Sequence, residues 1–333
     1  MRELELGLAR KQEGEWAFPV EMRPRPEEWR FNLEHALDSV VGLRAEIPED
    51  AFTAQILGTE RAGNGVVIRE DGLILTIGYL ITEASTIWIT TNKGAVAGGF
   101  PLAYDQVTGF GLVHPLGKLG VRPLERGSAN SCRVGENVVM AGHGGAAHAL
   151  KATVFAKREF AGYWEYVLDE AIFTAPAHPQ WGGAALIGAE GKLLGIGSLL
   201  VQEKIDAGTI QGNMIVPIDL LGSILDDMVK LGRTSRPPRP WLGMYATEAG
   251  ARLVVAGLAP GGPAEKAGLR VGDAVLAVAG AKPSSLADLF RRIWAVGNAG
   301  VRVPLRVLRE TTTKEYMLES ADRQDFLKKP HLH

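Results

Sequence analysis

Gly63-Asn64-Gly65-Val66-Val67-Ile68, then Asp71-Gly72, then Leu73-Ile74-Leu75-Thr76 is the stretch that decides how this chain folds. Two short apolar, β-branched runs separated by an Asp-Gly pair read as consecutive strands, because glycine accepts the positive φ of a tight turn without steric cost. Ile87-Trp88-Ile89, Val138-Val139-Met140 and Leu193-Leu194-Gly195-Ile196 repeat the pattern, each run broken by Gly, Asn or Asp. Many short strands at such spacing, with 41 glycines to make the turns, predict a mainly β first half built as a barrel or sandwich.

The period changes at Asp219. Leu221, Ile224, Leu225, Met228 and Leu231 share one helical face, and Gly232 is placed to end that helix. Arg233-Thr234-Ser235-Arg236-Pro237-Pro238-Arg239-Pro240 then reads as a stiff, solvated linker, residues 233–240, with a new domain after it. In that domain Pro263 can open a short helix and Gly268 can close it. Gly272-Asp273 turns into the strand Ala274-Val275-Leu276-Ala277-Val278, and Ser285 with Asp288 forms a capping box for a second helix. Leu286, Leu289, Ile293 and Val296 line one face of it.

Composition bounds the function. The 333 residues can bury two or three cores, and 46% apolar with 22% charged residues is ordinary for a globular protein. With 36 basic against 38 acidic residues, net −2, no general attraction for nucleic acid or acidic membranes is expected. No run of eighteen apolar residues is present, and Met1-Arg2-Glu3-Leu4-Glu5-Leu6-Gly7 lacks the basic-then-apolar order of a signal peptide, so a cytoplasmic location is expected. Cys132 is the single cysteine and reads as a packing residue. His143 and His148 lie in a glycine-rich loop with no carboxylate or thiol set beside them, so neither metal nor cofactor is expected.

Four blocks between Asp38 and Leu225 resemble the trypsin-like domain of the HtrA/Deg serine proteases. The opening Gly-x-Gly pair of strands is the first. Tyr104-Asp105-Gln106-Val107-Thr108-Gly109-Phe110-Gly111-Leu112-Val113 is similar to the family's aspartate segment, and His178-Pro179-Gln180-Trp181-Gly182-Gly183-Ala184-Ala185-Leu186 to its nucleophile loop. Gly191–Ser198 and Gly212–Ile218 resemble the strands that wall the specificity pocket. The resemblance implies a chymotrypsin-like double β-barrel over residues 37–232. It also places Tyr79 at the histidine position, Gly109 at the aspartate and Trp181 at the serine.

Serine-protease chemistry needs a hydroxyl nucleophile, an imidazole base and an orienting carboxylate. A phenol that titrates near pH 10, a hydrogen and an indole that only donates fill none of these roles. Pro179, where an oxyanion-hole glycine is usual, has no N–H, and loss of one such donor costs roughly a hundred- to a thousandfold in rate. An indole filling vacant space is ordinary packing; alternatively Trp181 with Tyr79 reshapes the cleft for an uncleaved ligand.

The region 241–320 resembles a PDZ domain of the HtrA type, on Trp241-Leu242-Gly243-Met244 and on Val254–Asp273. The resemblance implies a sandwich-like sheet with two helices and a groove where an extended C-terminal peptide adds as a strand. Its carboxylate would bind the amides of Trp241, Leu242, Gly243 and Met244, and its last side chain would sit near Met244, Leu289 and Ile293. Trp16, Phe18, Trp29 and Phe31, in an N-terminal extension 1–36, would either clamp a homo-oligomer such as a trimer or strap onto their own barrel; residues 321–333 form a tail. The expected protein is an HtrA-like pseudoprotease that serves as scaffold, adaptor or complex subunit. An endopeptidase or hydrolase with a rebuilt site, and a chaperone-like holder of unfolded clients, stand as alternatives.

Overall fold

The computed structural model describes residues 16–205 and 208–329; residues 1–15 of the extension and 330–333 of the tail lie outside them. Twelve strands close two barrels. The first contains β1 (Val40–Glu46), β2 (Glu60–Val67), β3 (Ile74–Ile77), β4 (Thr86–Thr90), β5 (Val96–Tyr104) and β6 (Phe110–Pro115), in the order β1-β2-β3-β6-β5-β4. The second contains β7 (Asn137–Ala141), β8 (Ala149–Gly162), β9 (Tyr166–Ala175), β10 (Ala185–Ile187), β11 (Leu193–Ile205) and β12 (Gly208–Pro217), in the order β10-β11-β12-β9-β8-β7.

The β2–β3 register pairs Val66 with Leu75 and Val67 with Ile74, and all four side chains are buried. Gly72 makes the turn at φ 85°. In β4, Ile87 and Ile89 are buried while Trp88 between them is exposed, the alternation a strand imposes on a barrel wall. Phe18 joins the core of the second barrel with Met140, Leu150, Ile172 and Ile215, and its N–H donates to Ala147 O at 2.9 Å. That side chain is therefore a strap on its own barrel.

The single helix expected over 219–231 is two. Asp219–Gly222 and Leu225–Leu231 are separated at Ile224, whose ψ of −16° at φ −127° leaves the helical region. Gly222-Ser223 is a weak helix-forming pair, and Asp219 spends its carboxylate on Ser128 Oγ and Ala129 N, both at 2.6 Å. Gly232 ends the second helix at φ 69° as expected.

The second unit carries β13 (Met244–Ala249), β14 (Arg252–Leu258), β15 (Ala274–Val278), β16 (Arg302–Arg309) and β17 (Thr312–Glu319), an antiparallel sheet in sequence order, with helices Pro263–Lys266 and Leu286–Ala295. Ser285 Oγ accepts from Asp288 N at 3.1 Å, but Asp288 returns the bond to Ser284 N at 2.8 Å, so the capping box is offset by one residue. Phe290, on the buried side of the same helix, completes the core with Leu289 and Ile293.

The compact units differ from a break at the linker alone. The first comprises the chain through Lys157 together with Ala171–Arg233; the second comprises Thr234–Lys329 and also Arg158–Glu170, the tip of the β8–β9 hairpin. The tip belongs there because Val167 is buried in one cluster with Leu242, Met244, Leu289 and Ile293. The expected linker is partly docked as well: Pro238 O accepts from Ala299 N at 2.9 Å, and Arg239 lies 4.3 Å from the Trp294 ring centroid.

Candidate functional site

Tyr79, Trp181 and Pro179, separated in sequence, meet in one cleft of about 490 Å³ in the first unit, with Leu80, His143 and Gln180 also on its wall. Tyr79 sits in a single 3-10 turn, Gly78–Leu80, that follows β3. Its hydroxyl donates to Ser198 O at 2.8 Å, and the Trp181 indole lines the same cleft. Burial pushes this phenol well above its usual range, only partly opposed by the indole, so it stays protonated and acts as a donor.

Gly109 does not line this cleft; it is bonded to the turn that carries Tyr79. It adopts φ 83°, its N–H donates to Asp105 O at 2.8 Å, and its carbonyl accepts from Gly78 N at 2.7 Å. Asp105, the one carboxylate of that segment, is buried and turned onto its own loop, where Oδ2 accepts from Thr108 N at 2.8 Å and Thr108 Oγ1 at 2.7 Å. Ser198 likewise belongs to the strand wall, contributing its carbonyl to Tyr79. Among the described residues that line the cleft there is no serine, cysteine or carboxylate.

The loop 178–183 is held by an amide and an imidazole that sequence reasoning did not single out. Asn64 Nδ2 donates to Gln180 O at 2.8 Å and Gly182 O at 3.1 Å, while its Oδ1 accepts from His143 N at 2.7 Å. His178 is fully buried, 5.0 Å from the Phe18 ring and 5.7 Å from Trp16. Its Nδ1 accepts from Gln180 N at 3.1 Å and its Nε2 donates to His148 O at 2.9 Å, which fixes the neutral tautomer. Burial drives this imidazole down to about 4, against the pull of the His148 carbonyl. His143 is also lowered by burial, and its Nε2 has no partner. Among the described residues no group of three or more His, Cys, Asp or Glu side chains could hold an ion.

The groove of the second unit brings the expected residues together. Trp241 packs on Phe326 at 4.8 Å, Gly243 turns at φ 67°, and Leu242, Met244, Leu289 and Ile293 are fully buried in one cluster. β13 is the sheet's edge strand. Sequence reasoning missed what lies against it. Glu165 accepts from Leu242 N at 3.2 Å and from Met244 N at 3.0 Å, and Ala246 N donates to Tyr163 O at 3.1 Å. Burial pushes the Glu165 carboxyl up to about 7, opposed by the amides of Met244, Leu242 and Gly243 and by the charge of Arg323. The aromatic run Tyr163-Trp164-Glu165-Tyr166 is the only sequence signal at this point, and it does not reveal where the carboxylate goes.

Comparison with known proteins agrees with both halves. Residues 63–196 match the trypsin-like peptidase domain family and residues 240–319 the PDZ domain family. The chain is 28% identical over 291 residues to Protease Do-like 1, chloroplastic, of Arabidopsis thaliana, covering 79% of this chain and 64% of that protein. It is 23% identical over 281 residues to Serine protease Do-like HtrB of Bacillus subtilis, covering 75% of this chain and 60% of the relative. The chain thus spans less than two thirds of the length of these relatives. In fold it is similar to the serine endoprotease from Yersinia pestis, with a TM-score of 0.52 at 18% identity over 88% of this chain and 98% of that one. The HtrA-type protease AlgW with tripeptide gives a TM-score of 0.51 at 18% identity, over 90% and 99% of the two chains. Two closed six-stranded barrels followed by a five-stranded sheet accord with these matches: the chain carries a trypsin-like peptidase domain followed by a PDZ domain, and is similar in arrangement to the HtrA-type proteases.

Proposed function

We propose that this chain is a non-cleaving member of the HtrA-like proteins, a scaffold, adaptor or complex subunit that captures protein C-termini through its PDZ groove. The observation that carries this reading is the bond from Tyr79 to Ser198 O in the cleft that Trp181 also lines. Where the resemblance calls for a base, a carboxylate and a nucleophile, the chain has a protonated phenol, a glycine with left-handed φ and an indole. Neither aromatic group can take a proton from a nucleophile and return it to a leaving group. The peptide role rests on the fold of the groove and on its amides at Leu242 and Met244.

Turnover of a fluorogenic casein substrate and labelling by a fluorophosphonate probe test the first half. The expected result is neither turnover nor labelling above a heat-denatured control. Turnover that co-purifies with the chain and is lost on Tyr79→Phe would overturn it, because the phenol would then be doing chemistry.

A further inference from the structure

We propose that the PDZ groove is occupied from within, by the hairpin turn Tyr163-Trp164-Glu165, with the Glu165 side chain standing where the terminal carboxylate of a peptide would bind. The inference rests on reading the groove as a peptide site, and it adds what a ligand must displace.

Three bonds share the spacing of strand addition. The Glu165 carboxylate takes the amides of Leu242 and Met244, alternate residues entering β13, and two residues along that strand Ala246 N donates to the Tyr163 carbonyl. A peptide that augments a sheet edge uses main-chain bonds of this kind, with its carboxylate in a nest of amides. A hairpin has no free end, so the carboxylate must come from a side chain. Glu165 sits at φ 60°, a left-handed conformation uncommon outside glycine that turns the chain off the edge. Val167, two residues on, is buried with Leu242, Met244, Leu289 and Ile293, and so supplies the apolar side chain a ligand's last residue would supply.

The hairpin is also tied to the groove's other wall. Arg291, on the helix Leu286–Ala295, pairs with Glu159 at 2.5 Å and with Asp169 at 2.6 Å, one from each arm. Tyr163 packs edge-on against Tyr245 of β13 at 5.9 Å. A glutamate that merely capped a loop would need neither the Ala246 bond nor an apolar partner inside the cluster. The ligand class follows from the occupant: peptides with a free α-carboxylate, a branched aliphatic last residue and aromatics before it. Because such a peptide competes with a tethered one, its apparent affinity falls by the fraction of chains whose groove is open.

Two measurements on the full chain test this. Hydrogen exchange of the Leu242, Met244 and Ala246 amides, without ligand, should quicken at least tenfold in Glu165→Ala. A fluorescein-labelled Gly-Tyr-Trp-Val peptide with a free carboxylate should bind Glu165→Ala at least tenfold tighter than the parent chain, and its carboxamide should bind neither. Arg291→Ala, which leaves the amide loop intact, should shift both readouts the same way by a smaller factor. Equal exchange in parent and Glu165→Ala would overturn internal occupancy, as would equal peptide affinity. Quickened exchange with no peptide binding to any variant would keep the internal occupant and overturn the reading of the groove as a peptide site.

Discussion

Acidification should loosen the second barrel through His178. The imidazole is fully buried between Phe18 and Trp16, with Nδ1 accepting and Nε2 donating. Its folded value is depressed from 6.5 to about 4. The unfolded chain therefore binds a proton between those two values that the folded chain refuses, and protonation favours unfolding. Stability from this group is intact above pH 6.5, falls as pH drops, and levels off below 4. A depression of that size is worth about 3 kcal/mol. His143 works in the same direction, and Glu165, raised from 4.5 to about 7, works in the opposite one, its stabilising share present at low pH and lost as pH rises through 7. Total stability therefore mixes signs, so the test is a difference between chains. Urea unfolding of the parent and of His178→Gln, which keeps a donor and an acceptor but cannot titrate, is followed by circular dichroism from pH 7.5 to 4. The parent should lose about 2 to 3 kcal/mol more than the variant over that range. Parallel pH profiles would refute the account, since an imidazole with the same pKa in the folded and unfolded chain contributes no slope.

Gly183→Ala should prevent folding or cost more than about 3 kcal/mol, because an added Cβ would lie 1.8 Å from Asn64 O at φ 76°. Gly94→Ala, at φ 80° with nothing within 4 Å, isolates the backbone strain alone and should cost only about 1 kcal/mol in the same melt. Tyr79→Phe should cost about 1 to 2 kcal/mol by leaving Ser198 O without its donor, with no change in peptide affinity. In the second unit, Arg309 makes two 2.7 Å bonds to Asp273, which is 1% exposed. Arg309→Ala should lower stability, because it leaves the buried Asp273 carboxylate without its ion partner, and urea melts should show the loss.

The barrels were legible because their strands obey local rules. Val66, Val67, Ile74 and Leu75 are β-branched or aliphatic, flank an Asp-Gly turn and all face the core, so pattern and burial coincide. The helix over 219–231 was half legible, since its apolar face is real but the break at Gly222-Ser223 depends on where Asp219 finds amides ninety residues away. The cleft's occupants could be placed by resemblance, and Tyr79 and Trp181 do share a wall. Asn64 as the brace of the 178–183 loop was not legible, because its partners lie more than a hundred residues away. Glu165 was hidden for the same reason. A glutamate among aromatics in a hairpin looks solvated, and only the fold brings it to the amides of Leu242 and Met244.

The shape of the nucleophile loop does not require catalysis to maintain it. Asn64 holds Gln180 O and Gly182 O, Asn64 N donates to Gly182 O at 2.8 Å, and Gly183 N donates to Gly197 O at 2.9 Å. These are bonds of backbone and amide, indifferent to whether position 181 carries a hydroxyl or an indole. The shape of this loop is therefore set by backbone bonds and Asn64, provided the glycines that let the chains approach remain. Gly183, with no room for a Cβ beside Asn64 O, and Gly197, whose Cβ would meet Trp181 O at 2.2 Å, are those glycines. Trp181 and Tyr79 share the wall of the cleft, and Tyr79 is tied to the opposite strand through Ser198 O at 2.8 Å. Conservation of loop shape is on these grounds evidence about packing, and the chemistry has to be read from the groups at its tip.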